Sequence, residues 1–521
     1  MISSAVATTP SYDVVVIGGG INGCAVARDA AGRGLSVLLL EKGDLAAATS
    51  SASSKLIHGG IRYLEHYEFK LVRESLRERD VILRIAPHVS HPMRFVFPHN
   101  PRMRPKWMIR LGLFLYDHLG GRLFPHSSKI ADFADSEAGR LLQSRFDTAF
   151  EYSDCWTDDA RLVVLTARDA RAHGANILTR TACTSIKARN DVWVVESENI
   201  RSGEYARYIA RTVVNATGPW VSDFYLDHVD TGEDDKPDSA TRKVKGSHLI
   251  ARKWFQHDNA YILQNDDQRI VFVLPFETDF VLIGTTDVDY HDDPSTATIS
   301  DAERVYLIDC VHRYFTHRLS DDDIVGSFSG VRPLYDDGAT SAQQATRDYV
   351  LKRTTSCQGA GLINIFGGKL TTHRKLAEAV MNELAADLEL KKDSWTADVS
   401  LPGGDFSFKQ RESRLMELAN QFDFVPLEVM TRWFRSYGTD IVAMLGKARQ
   451  SGDLGEHFGC GLYAVEVRWM MDHEWALEIE DVLWRRSKLG LRKNEINVDA
   501  LQRFIEMRIT ASPTRHESLT G

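Results

Sequence analysis

The sequence feature that most constrains the fold is a glycine-rich turn near the start of the chain. Residues 14–17, Val-Val-Val-Ile, can form a strand that is buried on both faces. Gly18 then permits a tight turn, Gly20 lets a pyrophosphate approach the main chain, and Gly23 lets the following helix pack against the strand. N–H groups at the start of such a helix face an anion. The turn therefore predicts a seat for a pyrophosphate.

The residues around the turn complete a βαβ unit. Small residues continue the helix to Gly32, and a second apolar strand at 35–40 ends in Glu41. Glu41 lies 18 positions after Gly23, which is near the spacing of about 20 expected for the carboxylate that binds a ribose hydroxyl. A lone GxGxxG can arise by chance, and a plain packing unit is the alternative. Strand, turn, helix and acid together favour a bound adenine dinucleotide.

Length and composition limit the class of protein. A chain of 521 residues predicts two or three domains of about 100 to 200 residues each. The net charge of −9 argues against nucleic-acid binding. The six cysteines are scattered without a CxxC pair, so we expect neither a disulfide framework nor a metal site. No apolar run reaches the roughly 18 residues that span a bilayer, and residues 1–10 resemble no signal or transit peptide. The protein is expected to be soluble or to lie on a membrane surface.

Three later stretches extend the predicted dinucleotide site. Residues 49–54 are rich in Ser and Thr, which suggests a cofactor with additional phosphate and ribityl groups; a solvated loop is the alternative. Residues 212–220 form an apolar strand that Gly-Pro stops beside the cofactor. Residues 362–372 give a strand, two glycines and another helix start. The predicted cofactor contacts are Gly18, Gly20, Asn22, Gly23, Glu41, Lys42, Thr49, Ser50, Ser51, Ser54, Ala216, Gly218, Gly367, Gly368, Lys369, Leu370 and Thr371.

The segment 105–120 is too apolar for an ordinary surface loop, and basic residues flank it. As a helix it places Trp107, Leu111, Phe114 and Leu115 on one side, which is typical of a helix that lies in a membrane interface. A core helix with a solvated basic edge is the alternative.

The pattern of elements predicts an α/β fold in three parts. A Rossmann-like cofactor domain is expected to be discontinuous, because its closing segment comes about 340 residues after it begins. Residues 269–275 and 280–284 predict neighbouring antiparallel strands of a substrate domain, and the last part predicts an all-α domain. The boundaries are 1–85, 145–225 and 350–390 for the cofactor domain, 86–144 and 226–349 for the antiparallel-sheet α+β substrate or membrane-facing domain, and 391–521 for the helical domain.

Nine blocks over nearly the whole chain resemble the aerobic glycerol-3-phosphate dehydrogenases, which belong to the D-amino-acid-oxidase-like flavoproteins. They are GGGINGxxxARDAxxRG, TSSASSKLIHGGIRYLEH, EYSDCWTDDARL, VNATGPW, KGSH, GTTDV, GVRPL, TRDY and GGKLTT. The resemblance implies FAD rather than NAD. It also implies oxidation of sn-glycerol 3-phosphate to dihydroxyacetone phosphate by hydride transfer from C2 to FAD N5. A membrane quinone as electron acceptor, a homodimer, and a peripheral location at the cytoplasmic face of the inner membrane, partly in the cytoplasm, are further implications.

Cationic residues in these blocks suit a phosphorylated substrate. The family associates Arg62, Tyr63, Arg332, Arg347 and Lys369 with holding it. Arginine donates two parallel hydrogen bonds to phosphate, whereas lysine acts as a point charge. Each arginine alone would more often form a surface ion pair, but four cations in such blocks favour the binding role.

The reaction also needs a group that accepts the proton of the C2 hydroxyl. His58 and His248 are the candidates, because histidine titrates near neutral pH; a structural hydrogen bond is the alternative for each. Arg332 is placed with them as a catalytic group that polarises the C2 oxygen, because its high basicity makes it a poor proton acceptor. Two other functions remain open: an oxidase that passes electrons to oxygen, and a flavin-binding regulatory protein without turnover.

Overall fold

The structure, a computed structural model, describes residues 9–61, 68–99, 104–120, 127–132, 136–146, 148–232, 241–267, 269–336, 348–356 and 359–511. The strands are β1 (Ser11–Ile17), β2 (Val37–Glu41), β3 (Leu56–Ile57), β4 (Ser90–Pro98), β5 (Lys129–Asp132), β6 (Thr148–Thr157), β7 (Asn176–Thr179), β8 (Thr181–Arg189), β9 (Val192–Asn199), β10 (Tyr205–Asn215), β11 (Val229–Asp230), β12 (Thr241–Arg252), β13 (Ala260–Gln264), β14 (Ile270–Phe276), β15 (Phe280–Gly284), β16 (Val288–Asp289), β17 (Ile324–Tyr335), β18 (Val350–Thr355) and β19 (Gly361–Phe366).

The helices surround two sheets and form the C-terminal part of the chain. They are α1 (Ile21–Gly32), α2 (Phe69–Ile85), α3 (Lys106–Leu119), α4 (Glu137–Arg140), α5 (Asp159–Ala172), α6 (Val221–His228), α7 (Asp301–Tyr314), α8 (His373–Glu383), α9 (Ala385–Leu388), α10 (Arg411–Gln421), α11 (Leu427–Tyr437), α12 (Ile441–Leu445), α13 (Ala464–Glu474) and α14 (Val498–Ala511). A π-helical turn spans Asp481–Arg486.

The first sheet has a parallel centre built around β1. The strand order is β11-β8-β9-β10-β1-β2-β7, and β19 lies beside β10 with β18 next to it. β1 is parallel to β2 and β10, as the connection through α1 requires. Val14, Val15 and Val16 are fully buried, because α1, α5 and α8 cover one face of the sheet and other apolar residues cover the second. The predicted Rossmann-like arrangement is confirmed.

β10 joins the early and late parts of this sheet. Its first half, Tyr205 to Ala210, pairs antiparallel with β9, and its second half, Thr212 to Asn215, pairs parallel with β19. The carboxyl ends of β1, β10 and β19 therefore meet at one edge. Parallel sheets bind ligands outside the carboxyl ends of their strands, so this edge is where a dinucleotide is expected.

The second sheet is mostly antiparallel. Its order is β16-β12-β15-β14-β13-β4-β6-β3, with β17 on β12 and β5 on β6. The predicted neighbours β14 and β15 pair antiparallel. The pair β13 and β4 is parallel. Helix α7 packs on this sheet and shares its apolar core.

The sheets depart from the predicted domain boundaries in three places. β3 and β6 were assigned to the cofactor domain, yet both lie in the second sheet, where β6 pairs with β4 and β3. β11 was assigned to the substrate domain but pairs with β8 of the first sheet. A strand belongs to the sheet in which its edges find hydrogen-bond partners, and neighbours along the chain do not determine those partners. The predicted division at residues 85, 145 and 226 therefore does not follow the sheets in which β3, β6 and β11 pair.

The C-terminal part is helical, as predicted. Helices α10 to α14 enclose their own core, in which Trp433 and Tyr437 are fully buried. Several buried ion pairs join this domain to the first one, and removal of one partner from such a pair is strongly destabilising. They include Arg161 with Glu474 (2.5 Å), Arg486 with Asp44 (2.8 Å), Lys488 with Asp158 (2.9 Å) and Arg180 with Asp481.

Helix α3 lies at the surface with one apolar face uncovered. Leu113 and Tyr116 are buried, whereas Trp107, Leu111 and Phe114 are 65%, 50% and 49% exposed. The alternative of a core helix is therefore wrong for this face. In the part of the chain that the structure describes, neither α3 nor another helix is both long and apolar enough to cross a bilayer.

Candidate active site

The glycine turn has the geometry that its sequence predicts. Gly18 has φ +109°, and a Cβ there would lie 2.5 Å from the carbonyl oxygen of Ala216. A Cβ on Gly23 would lie 1.9 Å from the carbonyl oxygen of Gly18. Carbon atoms cannot approach so closely, so both positions require glycine in this backbone. Gly18 makes the turn, and Gly23 brings α1 against the end of β1.

The start of α1 has amide groups available for an anion. The first N–H groups of a helix have no acceptor within the helix, and Gly20 at the cap position offers no side chain. Ser50 Oγ accepts the N–H of Ile21, at 3.0 Å. The positive end of the helix dipole lies at the same point. These features fit the pyrophosphate of a dinucleotide.

Glu41, at the end of β2, forms hydrogen bonds with the backbone of the same turn. Its carboxylate accepts the N–H of Gly19 at 2.6 Å and that of Gly43 at 2.7 Å. Burial raises the pKa of Glu41, and the two amide bonds only partly oppose that shift. Each oxygen keeps a second lone pair for a ribose hydroxyl. Lys42, by contrast, directs its ammonium over the ring of Trp220, 4.7 Å from the centroid.

The Ser/Thr stretch connects the two sheets and is not a solvated loop. Thr49 Oγ1 donates to the carbonyl of Val331 on β17 at 2.7 Å. Ser54 Oγ lies 2.9 Å from His248 Nε2 on β12. Ser51 bonds locally to the carbonyl of Ala48. The stretch therefore runs between the predicted cofactor turn and the second sheet.

Asp159, which was not predicted as a site residue, holds the Ser/Thr stretch in place through Ser53 and Lys55. It accepts from Lys55 Nζ at 2.7 Å and from Ser53 Oγ at 2.7 Å, and all three side chains are wholly or partly buried. The signal in the sequence was the acidic pair Asp158-Asp159 at the start of a helix, but its partners lie about 100 positions earlier and cannot be inferred from spacing.

The two late glycine stretches meet the first turn. Ala216 donates its N–H to Ile17 at the end of β1 at 2.9 Å, and Gly218 has φ +60°. Asn22 Nδ2 donates to the carbonyl of Gly367 at 3.1 Å. A Cβ on Gly368 would lie 2.7 Å from Asn22. Segments separated by more than 340 residues are therefore in contact.

The turn that follows these glycines reaches residues 58–61, which follow β3 and are called the substrate loop because Arg62 and Tyr63 come next in the sequence. Leu370, Thr371 and Thr372 form a 3₁₀ turn that begins after Lys369. Thr371 Oγ1 accepts the N–H of His58 at 3.3 Å. The ring of His58 packs edge-on against Phe272, 6.3 Å between centroids. His58 is thus beside the predicted cofactor turn.

Arg332 is held on β17 by an acid that was not predicted. Its guanidinium forms an ion pair with Asp287, and its Nη2 donates to Thr285 Oγ1 at 3.3 Å. A Cβ on Gly246 of the facing strand would lie 2.8 Å from Arg332 Nη2. The side chain of Arg332 remains 32% exposed. It is therefore both oriented by the protein and accessible to a ligand.

His248 is a buried neutral imidazole. It is 2% exposed, stacks on Phe328 at 4.8 Å, and would meet a Cβ on Gly284 at 2.3 Å. Burial, and then the charges of Arg332 and Lys55, lower the pKa of His248 well below its usual value. Its Nδ1 makes no hydrogen bond to any residue that the structure describes. His248 is therefore a neutral, buried imidazole whose Nδ1 has no hydrogen-bond partner among the described residues.

Glu303 supports the strand that carries His248, and sequence reasoning did not find it. Its carboxylate accepts from Thr286 at 2.7 Å and from Ser247 and Ser300 at 2.9 Å, and Lys245 lies 2.9 Å away. Burial opposes ionisation, but these bonds hold the pKa of Glu303 at about 2. The carboxylate is therefore charged at any physiological pH.

The structure thus gathers most of the predicted site. Of the predicted cofactor residues, those of the three glycine stretches and Glu41 lie at the carboxyl edge of the first sheet, Thr49 and Ser54 contact the second sheet, and Lys42 faces Trp220. Arg332, His248, His58 and Lys369 come from four separate segments next to that edge. Three predicted substrate ligands, Arg62, Tyr63 and Arg347, lie outside the described residues.

Comparison with known proteins agrees with this geometry. The family model described as FAD dependent oxidoreductase matches residues 13–374, and that of the C-terminal domain of alpha-glycerophosphate oxidase matches residues 394–510. A glycerol-3-phosphate dehydrogenase of Pseudomonas aeruginosa is 49% identical, with 92% of each chain covered. The aerobic glycerol-3-phosphate dehydrogenase of Escherichia coli is 47% identical, with 92% of this chain and 95% of that one covered.

The chain is also similar to a dehydrogenase named for another phosphorylated polyol and to a solved structure that contains FAD. A D-erythritol 1-phosphate dehydrogenase of Brucella abortus is 46% identical, over 93% of this chain and 95% of that one. A glycerol-3-phosphate dehydrogenase structure from Bacillus halodurans, complexed with FAD, has a TM-score of 0.76 at 24% identity and covers 98% of this chain and 93% of that one, which establishes the common fold. The chain therefore belongs to the FAD-dependent oxidoreductase family and carries the C-terminal domain of the alpha-glycerophosphate oxidases.

Proposed function

We propose that this flavoenzyme oxidises sn-glycerol 3-phosphate to dihydroxyacetone phosphate and passes the electrons to a membrane quinone. The observation that carries the proposal is the identity of 47% to 49%, over at least nine-tenths of the chain, to glycerol-3-phosphate dehydrogenases. The site supports it, because an oriented and accessible arginine lies beside the edge that fits the dinucleotide.

The residues of the chain bind and orient the reactants. FAD, when bound, supplies the N5 atom that accepts the hydride from C2 of the substrate. The amides at the start of α1 would hold its pyrophosphate, and Glu41 would hold its ribose. Arg332 and Lys369 would bind the substrate phosphate, together with Arg62, Tyr63 and Arg347 by family resemblance. Charge-assisted bonds of this kind fix the position of C2.

The proton of the C2 hydroxyl goes to one of two histidines. A general base acts best when its pKa lies near the working pH. Because the pKa of His248 is well below its usual value, that imidazole is a weak proton acceptor and is better suited to accept or donate a hydrogen bond. We therefore propose His58 as the base. His58→Asn should remove the acid limb of the pH–rate profile, whereas His248→Asn should leave that limb in place; the reverse result would exchange the roles.

The test of the reaction is anaerobic bleaching of the yellow protein. Glycerol 3-phosphate should bleach the yellow flavin absorbance completely, and glycerol, which has no phosphate, should not. A protein that stays yellow would have no such activity and would support a regulatory flavin-binding role. D-erythritol 1-phosphate belongs in the same titration, because a relative at 46% identity is named for that substrate. Faster bleaching by D-erythritol 1-phosphate than by glycerol 3-phosphate would make the former the preferred substrate.

The electron acceptor needs a separate measurement. Oxygen uptake with glycerol 3-phosphate should be slow, and addition of a water-soluble quinone should accelerate flavin reoxidation. Rapid peroxide formation without quinone would instead identify an oxidase. The same preparations would test the proposed homodimer, since light scattering should give twice the chain mass of 58.7 kDa.

We also propose that the enzyme binds peripherally to the cytoplasmic face of the inner membrane through α3. The exposed apolar face of this helix is accompanied by Lys106 and Arg110, whose charges attract anionic lipids. Trp107→Asp with Leu111→Asp should abolish co-sedimentation with vesicles of phosphatidylglycerol and phosphatidylcholine. A matched control exchanges exposed apolar residues elsewhere, Leu226→Asp with Val305→Asp, and should still sediment. Equal binding by both double variants would contradict the proposal.

A further inference from the structure

The backbone of the substrate loop is held by two hydroxyl groups from distant elements. The N–H of His58 donates to Thr371 Oγ1 at 3.3 Å. The next N–H, that of Gly59, donates to the hydroxyl oxygen of Tyr116 at 2.8 Å. The second bond comes from α3, which carries none of the predicted site residues. The hydrogen bond between Gly59 and Tyr116 is therefore not explained by cofactor or substrate binding.

The Tyr116 hydroxyl has only one orientation that satisfies its neighbours. It lies 2.7 Å and 2.9 Å from the two carboxylate oxygens of Asp154 on β6, and it donates its single proton to them. Its oxygen is then an acceptor for Gly59. Arg79 of α2 lies 3.1 Å from Asp154 and balances the charge of the carboxylate. Tyr116, Asp154 and Arg79 are buried, so water does not compete for these bonds.

Packing prevents the loop from moving away from this hydroxyl without breaking contacts. A Cβ on Gly59 would lie 2.6 Å from Leu76 and 2.8 Å from the Tyr116 hydroxyl oxygen. The backbone at Gly59 is therefore in close contact with α2 and α3. The chain of contacts Arg79, Asp154, Tyr116 and Gly59 runs without interruption from α2 to the residue that follows His58.

We propose that Tyr116 and Asp154 are positioning residues for the oxidation reaction. They fix the His58–Gly59 backbone and thereby set the place of the His58 side chain relative to the C2 hydroxyl. The inference rests on the proposed function, in which His58 receives the C2 proton. A displacement of about 1 Å at a reacting group lowers a rate on the order of 100-fold, so a buried hydrogen bond that fixes this loop has a measurable effect.

The test compares two conservative substitutions in the same core. Tyr116→Phe removes the hydroxyl and keeps the ring. Tyr152→Phe removes another buried hydroxyl, on a ring that packs edge-on against Tyr116 at 5.7 Å, and serves as the control. The measurement is the rate of anaerobic flavin bleaching by glycerol 3-phosphate in a rapid-mixing instrument. FAD content and melting temperature are recorded for each protein.

We expect Tyr116→Phe to bleach about 10- to 100-fold more slowly at saturating substrate. Its apparent Kd for glycerol 3-phosphate should stay close to that of the wild type, because Arg332 and Lys369, which would bind the phosphate, lie in other segments. Tyr152→Phe should bleach at the wild-type rate. In hydrogen-exchange mass spectrometry, the peptide that contains Gly59 should exchange faster in Tyr116→Phe only.

Three results would overturn the inference. The first is a wild-type bleaching rate in Tyr116→Phe. The second is a loss of rate that is matched by the same fractional loss of bound FAD, or that is accompanied by a fall in melting temperature. Either result would indicate a purely structural role. The third is a wild-type protein that does not bleach, which refutes the proposed function as well. Asp154→Asn provides a second variant: because it keeps an acceptor for Tyr116 but loses the charge, it should slow bleaching less than Tyr116→Phe.

Discussion

The substitution Gly23→Ala tests the cofactor turn most directly. Alanine is a better helix former than glycine by about 0.5 to 1 kcal/mol, so in an unconstrained helix it would stabilise the protein. At Gly23 the added Cβ would lie 1.9 Å from the carbonyl oxygen of Gly18, whereas such contacts essentially never fall below 3.0 Å. Helix α1 must therefore move by about 1 Å relative to the turn.

The expected magnitude follows from this displacement. Overpacking of a close contact costs about 1 to 3 kcal/mol, which exceeds the gain in helix propensity. The movement also misaligns the amides that would bind the pyrophosphate, and the loss of one charge-assisted hydrogen bond costs about 1.5 to 3 kcal/mol. The Kd for FAD should accordingly rise about 10- to 150-fold, and the apoprotein should unfold at lower urea concentration.

The assay is titration of apoprotein with FAD, followed by flavin fluorescence, together with urea unfolding of the apoprotein. Gly112→Ala is the matched control, because Gly112 also lies within a helix and a Cβ added there would meet no atom within 4 Å outside its own helix turn. It should leave FAD binding unchanged and should not destabilise the protein. A wild-type Kd for FAD in Gly23→Ala would refute the reasoning.

Three further predictions concern other parts of the site. Arg332→Ala should raise KM for glycerol 3-phosphate about 10- to 100-fold with FAD still bound, because a charged hydrogen bond is lost; an unchanged KM would place the phosphate elsewhere. Glu41→Gln should weaken FAD binding about 10-fold in the same titration, since the side-chain amide nitrogen of glutamine cannot accept a hydrogen bond and the N–H of either Gly19 or Gly43 loses its acceptor; an unchanged Kd would exclude this. The pKa of Glu303 falls from 4.5 to about 2 on folding, so its contribution of about 3 kcal/mol is present above pH 4.5 and is lost as the pH falls toward 2. Glu303→Gln should flatten the urea stability curve between these pH values, and a slope equal to that of the wild type would contradict it.

Local signals were enough to predict the cofactor edge. Gly18, Gly23 and Glu41 lie within one βαβ unit, where spacing along the chain determines position in space. The later glycine stretches repeat the same strand-and-turn pattern, which is why their return to the first sheet could be expected. Parallel strands that are mostly apolar belong in a buried sheet centre, and β19, which is apolar apart from Gly361 and Asn364, is buried along its whole length.

Long-range partners could not be predicted in the same way. β6 contains both buried and half-exposed residues, so it fits either sheet, and only its pairing with β4 decides between them. Asp287, Asp159 and Glu303 are ordinary acids in the sequence. Each becomes important through a cation or hydroxyl group from another segment, and no spacing rule connects such positions. The exposure of α3 was equally open, because the same apolar pattern suits a core helix or a surface helix.

The buried ion pairs between the first domain and the helical domain have a consequence for how the chain can be divided. A chain that ends after α9 would lack Glu474, Arg486 and Lys488. The charges of Arg161, Asp44 and Asp158 would then lie without their partners on a newly exposed apolar surface. Asp44 lies three positions after Glu41, so the loss would reach the part of the chain that is proposed to bind the ribose. The helical domain is therefore not a detachable module: a flavin domain produced alone should be insoluble or unable to retain its cofactor, and recombination between relatives must exchange both domains together.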